Sequence, residues 1–176
     1  MAENPVIEIR QLTAAQTLDS LDALAEVLAD CVAGGASVSF MAPFSKADAA
    51  AFFETLLPEI EAGTRILLAA YSDGVLVGTV QVVHAWPPNQ PHRADVAKLL
   101  VHRSARRQGV ANWLMLAVED YARAAGKTLL VLDTVTGEAA ERLYERLGWT
   151  KVGVIPKYAQ YPDGRWCDTT IFYKNL

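Results

Sequence analysis

The stretch Val101-His102-Arg103-Ser104-Ala105-Arg106-Arg107-Gln108-Gly109-Val110-Ala111-Asn112 decides how this chain is read. Ahead of it runs an apolar segment, Val96 to Val101, broken only by Lys98. Behind it Val110, Leu114, Ala117, Val118 and Tyr121 recur at helical spacing, which makes one face of a helix apolar. The pattern predicts a strand, a short basic loop and a helix opened by Gly109. Such a junction binds anions, because the first backbone N–H groups of a helix lack intrahelical partners and the macrodipole adds partial positive charge. Gly109 lets the backbone come close to a ligand, Ala111 is small, and Arg103, Arg106 and Arg107 add charge. The expected guest is a phosphate or pyrophosphate. The stretch contains no Gly-Lys-Ser/Thr, so it is not a P-loop, and its single glycine excludes the dinucleotide fingerprint.

Working outward, Val6 to Arg10 reads as a short strand. Thr13-x-x-Gln16 has the form of a capping box before a helix carrying Leu21, Leu24, Ala25, Leu28 and Val32, ended by Gly34-Gly35. Ser45-x-x-Asp48 caps a second helix with an apolar stripe of Ala49, Phe52, Phe53, Leu56, Leu57 and Ile60, bent or restarted at Pro58 and closed by Gly63. Arg65 to Tyr71 and Val75 to His84 form a hairpin around Ser72-Asp73-Gly74. A stiff Pro-rich loop, Trp86 to Pro91, leads into the strand Arg93 to Val101. Helix Gly109 to Ala125, a strand Leu129 to Asp133 and a helix Ala139 to Leu147 follow. Two last strands surround Pro162-Asp163-Gly164. The predicted order is β-α-α-β-β-β-α-β-α-β-β, which packs naturally as a mixed sheet with helices on both faces.

Length and composition agree with one domain over residues 1–176, large enough for a sizeable core. A net charge of −4 argues against nucleic acid as the main partner. No apolar run reaches the ~18 residues of a membrane span. No basic segment followed by an apolar core opens the chain, so no membrane partner is expected and the expected location is cytoplasmic. Cys31 and Cys167 have no metal-ligand spacing and no adjacent histidine or basic cluster. They read as reduced thiols, without a metal and without an acyl-cysteine route. His84 and His102 read as surface residues. Trp113 and Trp149 fall inside regular elements and read as packing residues.

Arg106-x-x-Gly109-x-Ala111 after an apolar strand resembles the pyrophosphate loop of the GCN5-related N-acetyltransferases, the GNAT superfamily, and the element order is similar to that fold across nearly the whole chain. The resemblance implies an α/β GNAT fold with a mixed, mostly antiparallel sheet flanked by helices on both faces. It implies acetyl-CoA as cosubstrate and no metal. The loop residues Arg106, Arg107, Gln108, Gly109, Val110, Ala111 and Asn112 would hold the pyrophosphate, and the strand backbone at Leu99, Leu100 and Val101 would pair with the pantetheine arm. It also makes a homodimer an expected assembly.

Acetyl transfer from a thioester to an amine needs a proton acceptor for the ammonium, stabilisation of the oxyanion and a donor near the departing sulfur. Ala140-Glu141-Arg142-Leu143-Tyr144, followed by Gly148-Trp149, resembles the family segment whose tyrosine approaches the coenzyme A sulfur. Tyr144 is therefore the acid candidate. Many members carry Asn seven residues earlier as a cofactor contact, where this chain has Gly137; that contact is either missing or made by backbone. Asp95, on the strand feeding the loop, and Asp133, ending the strand after Leu130-Val131-Leu132, are the base candidates and could also bind the substrate ammonium.

Within the superfamily, Gly34 to Met41, Arg93 to Val101, Leu132-Asp133-Thr134 and Pro162 to Arg165 are similar to the tabtoxin-resistance acetyltransferases. That resemblance implies a small-molecule amine as acceptor: a toxin, an antibiotic or an amino-acid analogue such as tabtoxinine-β-lactam. It places acidic residues at Asp95, where Glu is the relative's residue, and at Asp133, and brings Phe40 and Met41 to the substrate cleft. The alternatives are an N-terminal or lysine acetyltransferase of proteins and a non-catalytic coenzyme A sensor.

Overall fold

The computed structural model describes residues 5–176. The strands are β1 (Ile7–Leu12), β2 (Arg65–Ser72), β3 (Val75–His84), β4 (Arg93–Val101), β5 (Leu129–Val135), β6 (Thr150–Gln160) and β7 (Trp166–Asn175). The helices are α1 (Ala14–Asp19), α2 (Leu21–Ala33), α3 (Lys46–Thr55), α4 (Leu57–Glu61), α5 (Val110–Ala124) and α6 (Ala139–Arg146), with a 3₁₀ turn at Arg103–Ala105. Both predicted capping boxes form, Thr13 with Gln16 and Ser45 with Asp48. One boundary differs from expectation: the first helix breaks at Ser20 into α1 and α2. The second restarts at Pro58, as expected, to give the separate short helix α4.

One sheet runs in the order β1-β2-β3-β4-β5-β7-β6. Every neighbouring pair is antiparallel except β4 with β5. That parallel pairing covers only Arg93↔Leu129, Ala94↔Leu130 and Asp95↔Val131. Beyond it β4 continues with β3 alone and β5 with β7 alone. The sheet therefore splits along a seam, leaving one backbone edge of Val96–Val101 unpaired. At the far side β6 is the outer strand and carries Val152, Val154, Ile155 and Tyr158 exposed, an apolar free edge of the kind through which chains pair.

Side-chain alternation sends β-strand residues to two cores. Leu68, Val80, Val82, Ala94, Val96, Leu130 and Leu132 pack with α5, Tyr144, Trp149 and Phe172. Leu67, Ala69 and Leu100 pack with α2 and α3. Helices thus cover both faces, as predicted. On α5 the buried side is Val110, Leu114, Met115, Val118 and Ala122, with Ala117 and Tyr121 only partly covered. The helix is rotated from the predicted stripe because it lies across β1 to β4 and meets the sheet with Met115 and Ala122.

Gly78 sits where β3 passes beneath the start of α5. A Cβ there would lie 2.9 Å from the Leu100 carbonyl oxygen and 3.2 Å from Val110 Cγ1. Gly78→Ala is expected to cost roughly 1–3 kcal/mol, the range for forcing extra volume into a filled core; a urea midpoint equal to that of the unmodified protein would contradict this. Among the described residues no helix is long and apolar enough to cross a membrane.

Candidate active site

The loop between β4 and α5 is built to receive an anion. Arg107 and Gly109 both adopt positive φ, 63° and 83°. Left-handed residues placed this way turn successive N–H groups into a concavity, a backbone nest. Gly109 is the N-cap of α5 and supplies no side-chain cap, so the first-turn N–H groups at Val110, Ala111 and Asn112 stay available. The Gln108 amide is turned inward, donating to the Ser104 carbonyl at 3.0 Å. Arg106 Nε donates to the Val101 carbonyl at 3.2 Å, so this carbonyl, expected to pair with pantetheine, is already engaged. A recess of about 540 Å³ bounded by Pro5, Ile7, Arg107, Gln108 and Trp113 lies beside the loop on the β1 side, away from the carboxylates.

Asp30, a residue the sequence reading did not single out, holds the loop in place. Its side chain accepts from the Arg103 backbone N–H at 2.9 Å and from Arg103 Nε, and His102 Nε2 lies 3.6 Å away. Burial works to raise its pKa. The two Arg103 hydrogen bonds and the His102 charge outweigh this and leave the carboxyl below its ordinary value. One sequence signal was available: an aspartate in the last turn of a helix opposes the macrodipole and so needs another partner. Asp30→Asn is expected to lose roughly 2–3 kcal/mol at neutral pH, the scale for breaking a buried charged hydrogen bond. Because the folded pKa is depressed, this contribution is present above the unfolded value near ~3.9 and is lost as pH falls through the folded value. Urea unfolding of the two proteins should therefore converge in acid and separate at pH 7.

The seam between β4 and β5 opens into a cleft of about 200 Å³ lined by Asp95, Ala97, Leu132, Asp133, Tyr158 and Ile171, among others. Asp95 and Asp133 both lie on the α2–α3 face, opposite to Ala94, Val96, Leu130 and Leu132. They differ in partners. Asp95 is ion-paired with Arg93, which also donates to Gln90. Asp133 accepts only a neutral hydroxyl, Thr169 Oγ1, at 3.1 Å and is exposed. Tyr144 belongs to the opposite core. Its ring packs against Trp149 and Phe172 with centroids 6.0 and 5.8 Å away, and its hydroxyl makes no hydrogen bond among the described residues. Burial, and after it the charge of Asp133, push the Tyr144 pKa well above that of an ordinary phenol. Asp133 and Tyr144 thus lie on opposite faces of the sheet, near enough for the Asp133 charge to act on the phenol, while Asp95 sits one strand away beside a guanidinium.

The loop from Ala36 to Phe44 crosses to the β6–β7 hairpin. Ser37 Oγ donates to the Gln160 carbonyl at 2.7 Å and Ala42 N–H to the Pro162 carbonyl at 3.0 Å. Phe40 packs on Phe44 and Phe52 with centroids 4.6 and 5.1 Å away. Met41 is 47% exposed, and neither residue lines the cleft between the carboxylates. Gly137 has both backbone groups engaged, its N–H by Glu141 and its carbonyl by Arg142, so they are not free for a cofactor. His84 is half-buried with Nε2 unpartnered, contrary to the surface position expected, and burial lowers its pKa. Trp113 is 53% exposed rather than packed, whereas Trp149 is buried. Burial raises the Cys31 thiol pKa, which keeps it from acting as a thiolate.

The sequence profile of the Acetyltransferase (GNAT) family matches residues 33–149. An uncharacterised N-acetyltransferase of Azospirillum brasilense, from the hisH-hisA intergenic region, is 30% identical over 162 residues, spanning 91% of this chain and 92% of that protein. A Salmonella typhimurium structure solved with its cofactor acetyl-CoA superposes with a TM-score of 0.78 at 21% identity, covering 97% of this chain and 94% of that one. A ribosomal-protein-alanine N-acetyltransferase from Brucella melitensis gives a TM-score of 0.78 at 22% identity, covering 96% and 99%. The basic loop, the seam and the profile match lead to one conclusion: the chain belongs to the GNAT family of acetyltransferases.

Proposed function

We propose that this protein transfers the acetyl group of acetyl-CoA to the amine of a small molecule by direct attack. The observation that carries the reading is the gap where β4 and β5 part beyond Asp95↔Val131, a cleft lined by Asp95 and Asp133. Val110, Ala111, Asn112 and the Arg106-Arg107-Gln108 turn bind the pyrophosphate, and the unpaired edge at Leu99 and Leu100 takes the arm that carries the thioester, with the Val101 carbonyl freed only if Arg106 turns to the phosphate. Asp133 accepts the proton of the substrate ammonium, directly or through a water. The amine nitrogen then attacks the acetyl carbon, a C–N bond forms and the C–S bond breaks. Tyr144 meets the negative charge that develops on sulfur. Its raised pKa makes full proton transfer to a thiolate, whose conjugate acid lies near ~8.5, uphill. Tyr144 therefore acts as a hydrogen-bond donor, and the proton that completes the thiol comes from solvent.

A small acceptor is supported by the two hydrogen bonds that draw the α2–α3 loop onto the β6–β7 hairpin, because an extended peptide would need that side open. The similarity to tabtoxin-resistance acetyltransferases supports an amino-acid-like amine. The Brucella relative is named for a protein acceptor, but at 22% identity it carries the fold alone. The test is thiol release from acetyl-CoA against tabtoxinine-β-lactam, free amino acids, aminoglycosides, polyamines and peptides with free α-amines. Release with a small amine supports the reading. Release with peptides alone would replace it with protein acetylation, and tight coenzyme A binding with no release would leave a sensor.

A further inference from the structure

Lys98 is the one charged residue in the apolar run that ends β4, and a bulge decides where it points. Thr79 pairs with Leu100, but Gln81 pairs with Ala97, so two β4 residues oppose one on β3. Lys98 takes φ 54° within this bulge. Strict alternation would aim Lys98 with Ala94 and Val96 into the α5 core. Instead it shares the α2–α3 face with Ala97, where its Nζ lies 5.7 and 5.9 Å from the ring centroids of Phe40 and Phe52. Its hydrogen bond is to a neutral group, Ser39 Oγ at 2.9 Å, and among the described residues it forms no ion pair.

Two neighbours sharpen the picture. Gln81, fully buried and paired with Ala97 on the same face, gives its carbonyl oxygen to Arg65, and among the described residues its Nε2 donor has no partner. Asp133 is close enough for its charge to act on Lys98, as is Arg65; desolvation, the larger effect, lowers the Lys98 pKa. A half-buried ammonium lacking a counter-ion is costly. Lys98, beside the cleft on the same face of the sheet, therefore lacks an anionic partner, and Asp133, in the cleft, lacks a cationic one. A zwitterion answers both at once.

We infer that Lys98, with Ser39 beside it and the Gln81 amide behind it, binds the carboxylate of an amino-acid acceptor whose amine is presented at Asp133. This rests on the acetyl-transfer reading and narrows its substrate class to amines that also carry an anionic group.

The experiment compares acetylation of the common free amino acids with that of their α-carboxamides, in the unmodified protein and in Lys98→Asn and Lys98→Arg. Asparagine tolerates the left-handed backbone of the bulge, and arginine keeps the charge. At least one amino acid should be preferred over its amide by roughly 10- to 100-fold in kcat/KM, the span of a charge-assisted hydrogen bond. Lys98→Asn should bring that ratio near one, and Lys98→Arg should keep most of it. Equal use of acid and amide, or a preference that survives Lys98→Asn, overturns the inference. So does acetylation confined to polyamines or aminoglycosides, which leaves acetyl transfer itself intact. If no amine is acetylated, the acetyl-transfer reading fails on its own, and product binding decides the site. N-acetyl amino acids added with coenzyme A should raise the melting temperature of the unmodified protein and not of Lys98→Asn; no rise with any of them refutes the carboxylate site.

Discussion

Asp133→Asn is expected to lower kcat/KM for the acceptor amine by roughly 10²–10⁴-fold at neutral pH, the contribution typical of a positioned general base. Asparagine keeps an oxygen for the Thr169 hydroxyl but cannot take the ammonium proton. The deficit should narrow as pH rises, because at high pH the amine arrives already deprotonated. Asp95→Asn serves as the comparison. Asp95 is held by Arg93, so its loss should slow the reaction by no more than about 10-fold. Initial rates from pH 6 to 10 for the three proteins would check both statements. A larger loss in Asp95→Asn than in Asp133→Asn would reverse the assignment.

Tyr144→Phe is expected to lower kcat by roughly 10²–10³-fold, the effect of removing one preorganised donor from a developing charge, with KM for acetyl-CoA little changed. The fold should tolerate the change. The phenol ring supplies the packing against Trp149 and Phe172, and among the described residues the hydroxyl makes no hydrogen bond that would be lost. The raised pKa adds a sign: ionisation of Tyr144 should leave no alkaline fall in kcat across the working range, because the group stays protonated there. A rate within about 3-fold of the unmodified protein would remove Tyr144 from the chemistry.

Both effects are separable from stability. Asp133 and Tyr144 make few bonds to the rest of the chain, whereas Asp30 and Gly78 are held by their surroundings. Variants of the first pair should lose rate with little change in unfolding. Variants of the second pair should lose stability first.

Much of the architecture was legible without coordinates, for local reasons. The capping boxes at Thr13 and Ser45, the Asp73-Gly74 turn, the glycine opening α5 and the apolar runs of β2 to β5 each act within a few residues. Hydrogen bonding over three or four positions and alternation over two are properties of the chain itself. The strand–loop–helix junction at Val101 to Asn112 was readable for the same reason, since Gly109 marks the start of α5. The rotation of α5 and the break at Ser20 were not, because packing across four strands, not propensity, sets them.

The sequence by itself thus determined the element order, the anion-binding loop and the residue types available for acetyl transfer. Tertiary structure decided how they are arranged. The brief parallel pairing of β4 with β5 opens the seam and leaves Asp133 lining it. An ion pair with Arg93 sets Asp95 apart from Asp133, although the two looked equivalent in sequence. Asp30 reaches Arg103 across 73 positions. The bulge in β4 turns Lys98 from the α5 core to the α2–α3 face, beside Phe40 and Phe52. In each case the deciding interaction lies between strands or helices distant in the chain, where no local periodicity records it.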